Sequence, residues 1–320
     1  MAEQWLELAS AVTGVFLVML IGGCARHWKW FTKEVDQSLA TFTSHVLMPS
    51  LFFHRIILDR NLSSDLDAWF PALVGFLYTS IGILIAWWIA KSFGRFAGLP
   101  TASEQRTFAL SVGINNYGYI ALPLADLFYP ACVVTLMIHN VGVDLALWSV
   151  GLFTISGKGV KDSWKRIVFS PPLLAVLLAV TIKHWGLEHA VPEALLQTTE
   201  KLGRCSVPMG LVLSGAILYD YSRHVEWSHA SKILSFSIAI RLILLPWLIL
   251  AIGVWWTTAE SLKQVLLLQA AMPAATFPVV MTRLYKQSVE TAWIIVVGTS
   301  LLSLFTIPIW MVIGRWILGL

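Results

Sequence analysis

The sequence predicts an all-α polytopic membrane protein with ten transmembrane helices. They are arranged as two inverted five-helix repeats, with helices 4 and 9 broken and crossed. Three observations lead there. First, 57% of the 320 residues are hydrophobic and only 12% charged, with a mean hydropathy of +0.74. A soluble chain carries about a quarter charged residues. Second, about ten apolar segments approach the roughly 20 residues that cross a bilayer. Third, two of these segments, Ser111 to Pro123 and Gln269 to Pro278, are interrupted by proline and small polar residues half a chain apart. Broken backbone at membrane depth survives only where it lines a cavity or is buried in protein.

Taken in order, the first span covers residues 6–24. The residues before it hold no basic stretch and no small-residue cleavage site, so it reads as a span and not as a removed leader. The second, 38–58, carries Met48-Pro49-Ser50-Leu51, and the third runs over 69–90. The fourth, 108–128, holds the first interruption, and the fifth, 131–155, holds Asp144. The sixth and seventh, 168–182 and 202–219, are short or polar at their edges. The eighth, 233–256, contains Arg241; the ninth, 262–284, holds the second interruption; the tenth is 292–318.

Three landmarks recur at a near-constant offset. His27-Trp28 matches His184-Trp185 (157 residues), Pro49 matches Pro208 (159), and Pro123 matches Pro278 (155). Residues 1–156 and 167–320 therefore form two repeats joined by a short cytoplasmic linker, 157–166. Five spans is an odd number, so the second repeat enters from the opposite side and the repeats are inverted. Lysine and arginine fall about two to one on the connections that face inside if both termini are extracytoplasmic, which places the chain in the cell (inner) membrane in that orientation. Tryptophans near the span ends suit interfacial belts.

The interruptions bring candidate binding groups together. Pro123, Pro273 and Pro278 remove backbone donors and break helical pairing, which leaves carbonyls and half-helix N-termini without partners. The N-termini attract anions and the carbonyls suit cations. Asn115 and Asn116 beside the first break, and Gln269 and Thr276 beside the second, can bond a carboxylate or a freed carbonyl. Asp144 lies mid-span, where an ionised carboxylate costs about 2.5–3.5 kcal/mol, so it should face a cavity or a partner. Asn140 shares its helix face one turn earlier. Two readings of Asp144 stand: a proton carrier working with His139, or a structural salt bridge to Arg241, the basic residue inside the eighth span. Arg241 could also neutralise a substrate directly. His45 and His54 read as interfacial histidines near the ends of the second span.

Other chemistry is poorly supported. The motifs HExxH, GxSxG and GxxxxGKS are absent and no span pairs two carboxylates, so the chain does not read as an enzyme. The three cysteines are scattered without metal-ligand spacing, and neither a metal nor a cofactor is expected. Basic residues sit in short connections and form no nucleic-acid stripe.

Asn116-Tyr-Gly-Tyr-Ile-Ala-Leu-Pro123 resembles the Asn-Thr-Gly-x-x-Gly-x-Pro signature of the auxin efflux carrier family, with Tyr117 in place of threonine and Ala121 in place of glycine. Leu47-Met-Pro49-Ser-Leu-Phe52, the stretch from Pro208 to Leu218, and Met272-Pro273 to Pro278 resemble further elements of that family in the same order. The family includes bacterial malonate and malate permeases and plant PIN-type auxin carriers. The short central loop resembles the bacterial branch. The resemblance implies a fold shared with bile-acid sodium symporters and elevator-type alternating access around the crossing. It implies a small organic anion as substrate, with a proton or, alternatively, sodium as coupling ion, and a homodimer by analogy. It also places a substrate-contacting asparagine at Asn116. The plant carriers carry amides at the positions of His139 and Asp144, so a titratable pair here would suit proton coupling. A non-transporting membrane sensor on the same fold is the remaining alternative.

Overall fold

The computed structural model describes residues 2–59, 69–156, 170–222 and 227–320. Among them the regular structure is helical, apart from one isolated antiparallel bridge. Twelve helices follow in chain order: α1 (Ala2–His27), α2 (33–58), α3 (Phe70–Phe93), α4 (Ala102–Gly113), α5 (Ala121–Phe128) and α6 (Pro130–Ser156). The second half gives α7 (Pro171–His184), α8 (Glu193–Ser222), α9 (227–255), α10 (Glu260–Ala271), α11 (Phe277–Leu284) and α12 (Val289–Leu318). Five of them, α3, α6, α8, α9 and α12, are long and apolar enough to cross a membrane.

Several predicted boundaries move. The predicted seventh span starts at residue 202, but α8 begins at Glu193 and runs 30 residues. Its polar first third stays helical through local bonds: Gln197 to Glu193, and the Thr198 and Thr199 hydroxyls to carbonyls one turn earlier. Helix α7 has 14 residues, about 21 Å of rise, against a hydrocarbon layer of about 30 Å. Val168, the predicted start of that span, and the linker 157–166 lie outside the described residues. The fourth segment begins at Ala102, where Thr101 and Glu104 form a capping box: each side chain accepts from the other's backbone N–H. Gly319, at φ 69°, closes α12 in the left-handed conformation.

Three helices contain a π-helical turn: Thr43–Leu47 in α2, Leu147–Gly151 in α6 and Ile238–Leu244 in α9. Two of these turns end just before Pro49 and Pro246. The proline ring clashes with the preceding turn and offers no N–H, and an extra residue in that turn relieves both problems. Pro208 and Pro308, by contrast, lie inside continuous helices.

Packing falls into two groups. Helix α1 lies along α8, and α2 lies along α8 and α7. Helices α3, α4 and α6 pack together, as do α9, α10 and α12, and α4 packs on α12. Small residues allow the closest approaches: a side chain at Gly215 of α8 would fall on the Met19 carbonyl of α1, and one at Gly142 of α6 on the Ala72 carbonyl of α3. Buried Arg26 ties α1, α2 and α8 together. It donates to the Phe31 carbonyl at 2.9 Å, bonds Asp36 and pairs with Asp220 at 3.4 Å.

Candidate functional site

Helix α4 stops at Gly113 and α5 starts at Ala121; α10 stops at Ala271 and α11 starts at Phe277. The two gaps touch. The Asn116 N–H donates to the Pro273 carbonyl at 2.7 Å, and the Ala275 N–H to the Ile114 carbonyl at 3.0 Å. These bonds flank the antiparallel bridge Asn115–Ala274. The Ala274 N–H is satisfied by Thr299 of α12 at 3.3 Å. Backbone groups freed by each break are thus paired with the other break, which is how such a gap tolerates burial.

The prolines act differently from the sequence expectation. Pro123 and Pro278 sit in the first turns of α5 and α11, where the missing N–H would have no helical partner anyway. Only Pro273 lies inside a gap.

Backbone at Ile114 is extended (φ −106°, ψ 124°), so neighbouring side chains along the gap part company. Asn115 is fully buried and turns toward α3 and α10: it accepts from the Tyr78 hydroxyl at 3.1 Å and donates to the carbonyl and side-chain oxygens of Gln269. The Gln269 amide donates to Asn140 Oδ1 at 3.2 Å, and Asn140 donates to the Tyr117 carbonyl at 3.0 Å. One directed chain of bonds therefore runs from Tyr78 through Asn115 of the first gap, Gln269 of α10 and Asn140 of α6 back to the Tyr117 carbonyl in the first gap. Asn116 faces the other way and receives the Ile120 N–H at 3.4 Å.

A cavity of about 510 Å³ lies beside the crossing. Asn116, Asn140, Asp144 and Thr276 line it, with Tyr117 and Trp148 among its aromatic walls. Asn115, Gln269 and His139 do not; they stand behind it, fully buried. His139 stacks on Tyr78 (ring centroids 5.4 Å apart, planes at 14°) and meets Asn140 Oδ1 at 3.3 Å. Five residues along a helix turn through about 140°, so His139 and Asp144 cannot share a face, whereas Asn140 and Asp144 do. His139 therefore does not face the cavity that Asp144 borders.

The expected Asp144–Arg241 salt bridge is also absent. Asp144 receives the Tyr117 hydroxyl at 2.5 Å. Arg241, with no exposed surface, donates to three main-chain carbonyls: Met272 (3.2 Å), Val112 (3.5 Å) and Gln269 (3.5 Å). It does not line the cavity, so it cannot touch a ligand there, and among the described residues neither lysine nor arginine is part of the lining.

Sequence reasoning also missed Tyr78, Tyr117 and Thr299 as members of the site. Tyr117 stood in the quoted motif and could have been paired with Asp144; Tyr78 and Thr299 sit in apolar helices with no local signal. His45, read as interfacial, lines the cavity from the π turn of α2.

A second cavity, about 750 Å³, lies farther along α2 and α6. It is bordered by residues 51–58 of α2, by Asp59 just after it and by 130–137 of α6, where the first is bordered by 44–52 and 140–148. Arg55 and Asp126 pair within it at 2.6 Å. Leu122, in the first turn of α5, borders both cavities.

A family model described as membrane transport protein matches residues 8–162 and 158–311. The chain belongs to that family, the one that holds the auxin efflux carriers. It is similar to an uncharacterized transporter of Methanothermobacter thermautotrophicus, 27% identical over 310 residues, with 94% of this chain and 97% of that protein covered. A second uncharacterized transporter, from Methanocaldococcus jannaschii, is 22% identical over 320 residues, covering 95% and 96%. Family membership and the five long apolar helices together make this an integral membrane protein of a transport family.

Proposed function

We propose that the protein is a secondary active transporter of small organic anions, carboxylates above all, which it binds in the 510 Å³ cavity at the crossing. One observation carries the reading: the residues that lead into both second half-helices, 116–119 and 275–277, border the same cavity. Half-helix N-termini carry partial positive charge and unpaired N–H groups, so a carboxylate can be held there without a lysine or arginine. Asn116 spends its side-chain oxygen on the Ile120 N–H, which leaves its NH₂ group as a donor to the anion. Thr276 adds a hydroxyl from the opposite gap.

Asp144 borders the same space, and its charge opposes a bound anion unless it carries a proton. Substrate and proton therefore travel together, and Tyr117 holds the carboxyl in place. With α4–α5 and α10–α11 each taken as one interrupted crossing, the helices give ten spans. An antiparallel bridge between the gaps supports inverted halves, because the two broken segments run in opposite directions there. The denser packing of α1, α2, α7 and α8 among themselves than against the rest supports an elevator-type motion in which the crossing slides against that group.

The test is uptake of labelled mono- and dicarboxylates into proteoliposomes under an imposed pH gradient, after a thermal-shift screen of the same compounds at two pH values. Saturable uptake that Asn116→Ala abolishes is expected. Ligand binding with no net flux would instead support a sensor on the same fold.

A further inference from the structure

Arg241 has no role in the binding scheme above, yet it is among the largest fully buried side chains of the described residues. A buried guanidinium ordinarily requires a carboxylate or a comparable source of negative potential. Here the source is main chain. Val112 lies in the last turn of α4, Gln269 lies in the last turn of α10, and Met272 caps α10. The last carbonyls of a helix have no helical partner, and that end carries partial negative charge. The first half-helix of each broken pair thus ends at the same guanidinium, which donates to all three carbonyls.

Its placement is built in. The π turn Ile238–Leu244 sets Arg241 toward the crossing, and the Trp310 indole N–H donates to the Leu242 carbonyl of that turn at 2.7 Å. The crossing is therefore split by sign. Its negative, C-terminal ends are closed by a side chain of the protein, and its positive, N-terminal ends open on the cavity.

Freed carbonyls at the ends of broken helices are also what coordinates a mobile cation in carriers of this kind of architecture. We propose that Arg241 is a tethered counter-cation that fills the place where a mobile cation would otherwise bind, so that the protein works without sodium. This rests on the transport reading above and deepens it by excluding one coupling ion. Arg241 is a positioning residue: it holds the two half-helix ends together and leaves the anion, with its proton, as the mobile charge at the crossing.

Two measurements test it. In the first, unfolding of the purified protein is followed in sodium chloride and in choline chloride at equal ionic strength. The wild type should show the same melting temperature in both. Arg241→Ala should melt roughly 5–10 °C lower, and millimolar methylguanidinium should recover part of that loss in the variant while leaving the wild type unmoved. A side chain that merely fills space would show no such recovery. A folded variant without rescue, or a wild type stabilised specifically by sodium, overturns the proposal. In the second, wild-type carboxylate flux is compared with sodium and with choline outside. Equal rates are expected, and a rate that collapses in choline overturns the proposal even if Arg241→Ala does not fold. Absence of flux in every medium would sink the transport reading alone, since the melting experiment still reports on Arg241.

Discussion

Asn115 and Gln269 bind the two broken segments together, and their energetic coupling can be worked out from their partners. In Asn115→Ala the Tyr78 hydroxyl loses its acceptor and the Gln269 side-chain oxygen loses its donor, both in fully buried surroundings. In Gln269→Ala the Asn115 amide keeps only the backbone carbonyl of position 269, and Asn140 loses a donor. A stranded buried polar group costs about 1–3 kcal/mol, while single interhelical hydrogen bonds in membranes average about 0.6 kcal/mol and reach about 1.7. Each single variant should therefore lose about 1–3 kcal/mol. The double variant removes both ends of one bond and strands fewer groups than the two singles combined. It should be more stable than their sum by about 1–2 kcal/mol. Reversible unfolding in mixed micelles for the four proteins gives this number directly. Losses that simply add would refute the idea that these two amides join the breaks.

Other perturbations reach different parts of the site. Wild-type uptake should rise as pH falls, because protonation removes the Asp144 charge beside the anion; Asp144→Asn should flatten that profile while still binding substrate, and unchanged pH dependence in flux assays would retire the proton role. Gly210→Ala should cut flux about tenfold, because a side chain there would sit 2.1 Å from the Tyr119 ring at the cavity wall, whereas Gly14→Ala, which meets nothing within 4 Å, should be neutral in the same assay. Arg26→Ala removes the buried guanidinium that bonds Asp36 and Asp220 and joins three helices, and should lower stability by about 3 kcal/mol, read as a drop in melting temperature with substrate affinity unchanged.

What could be read from sequence follows the physics of each feature. The two breaks were legible because proline and asparagine cannot be hidden in an apolar run, and the contact between the breaks follows from the need to pair their backbone groups. The orientation of individual side chains was harder to read. Whether Asn115 or Asn116 meets the cavity depends on the extended backbone at Ile114, which composition does not report. Asp144 was recognised by its cost in the membrane, but its partner Tyr117 comes from the gap 27 residues earlier. The Arg241 partner was misjudged because charge invites a search for opposite charge, and main-chain carbonyls leave no trace in a sequence. Helix α8 begins nine residues before its predicted start because hydropathy locates the apolar part of a helix and not the point where its backbone pairing begins.

The shared wall at Leu122 has an electrical consequence. Were the two spaces to open to opposite faces of the membrane and fill with water, the resting voltage would fall mainly across the wall that Leu122 shares between them. A charge stepping past that one leucine would then cross most of the field, about 2.3 kcal/mol per elementary charge for every 100 mV. A dicarboxylate moving with one proton would carry one net charge through that field, whereas a monocarboxylate with its proton would carry none, so the two substrates would differ in their response to the cell's polarisation.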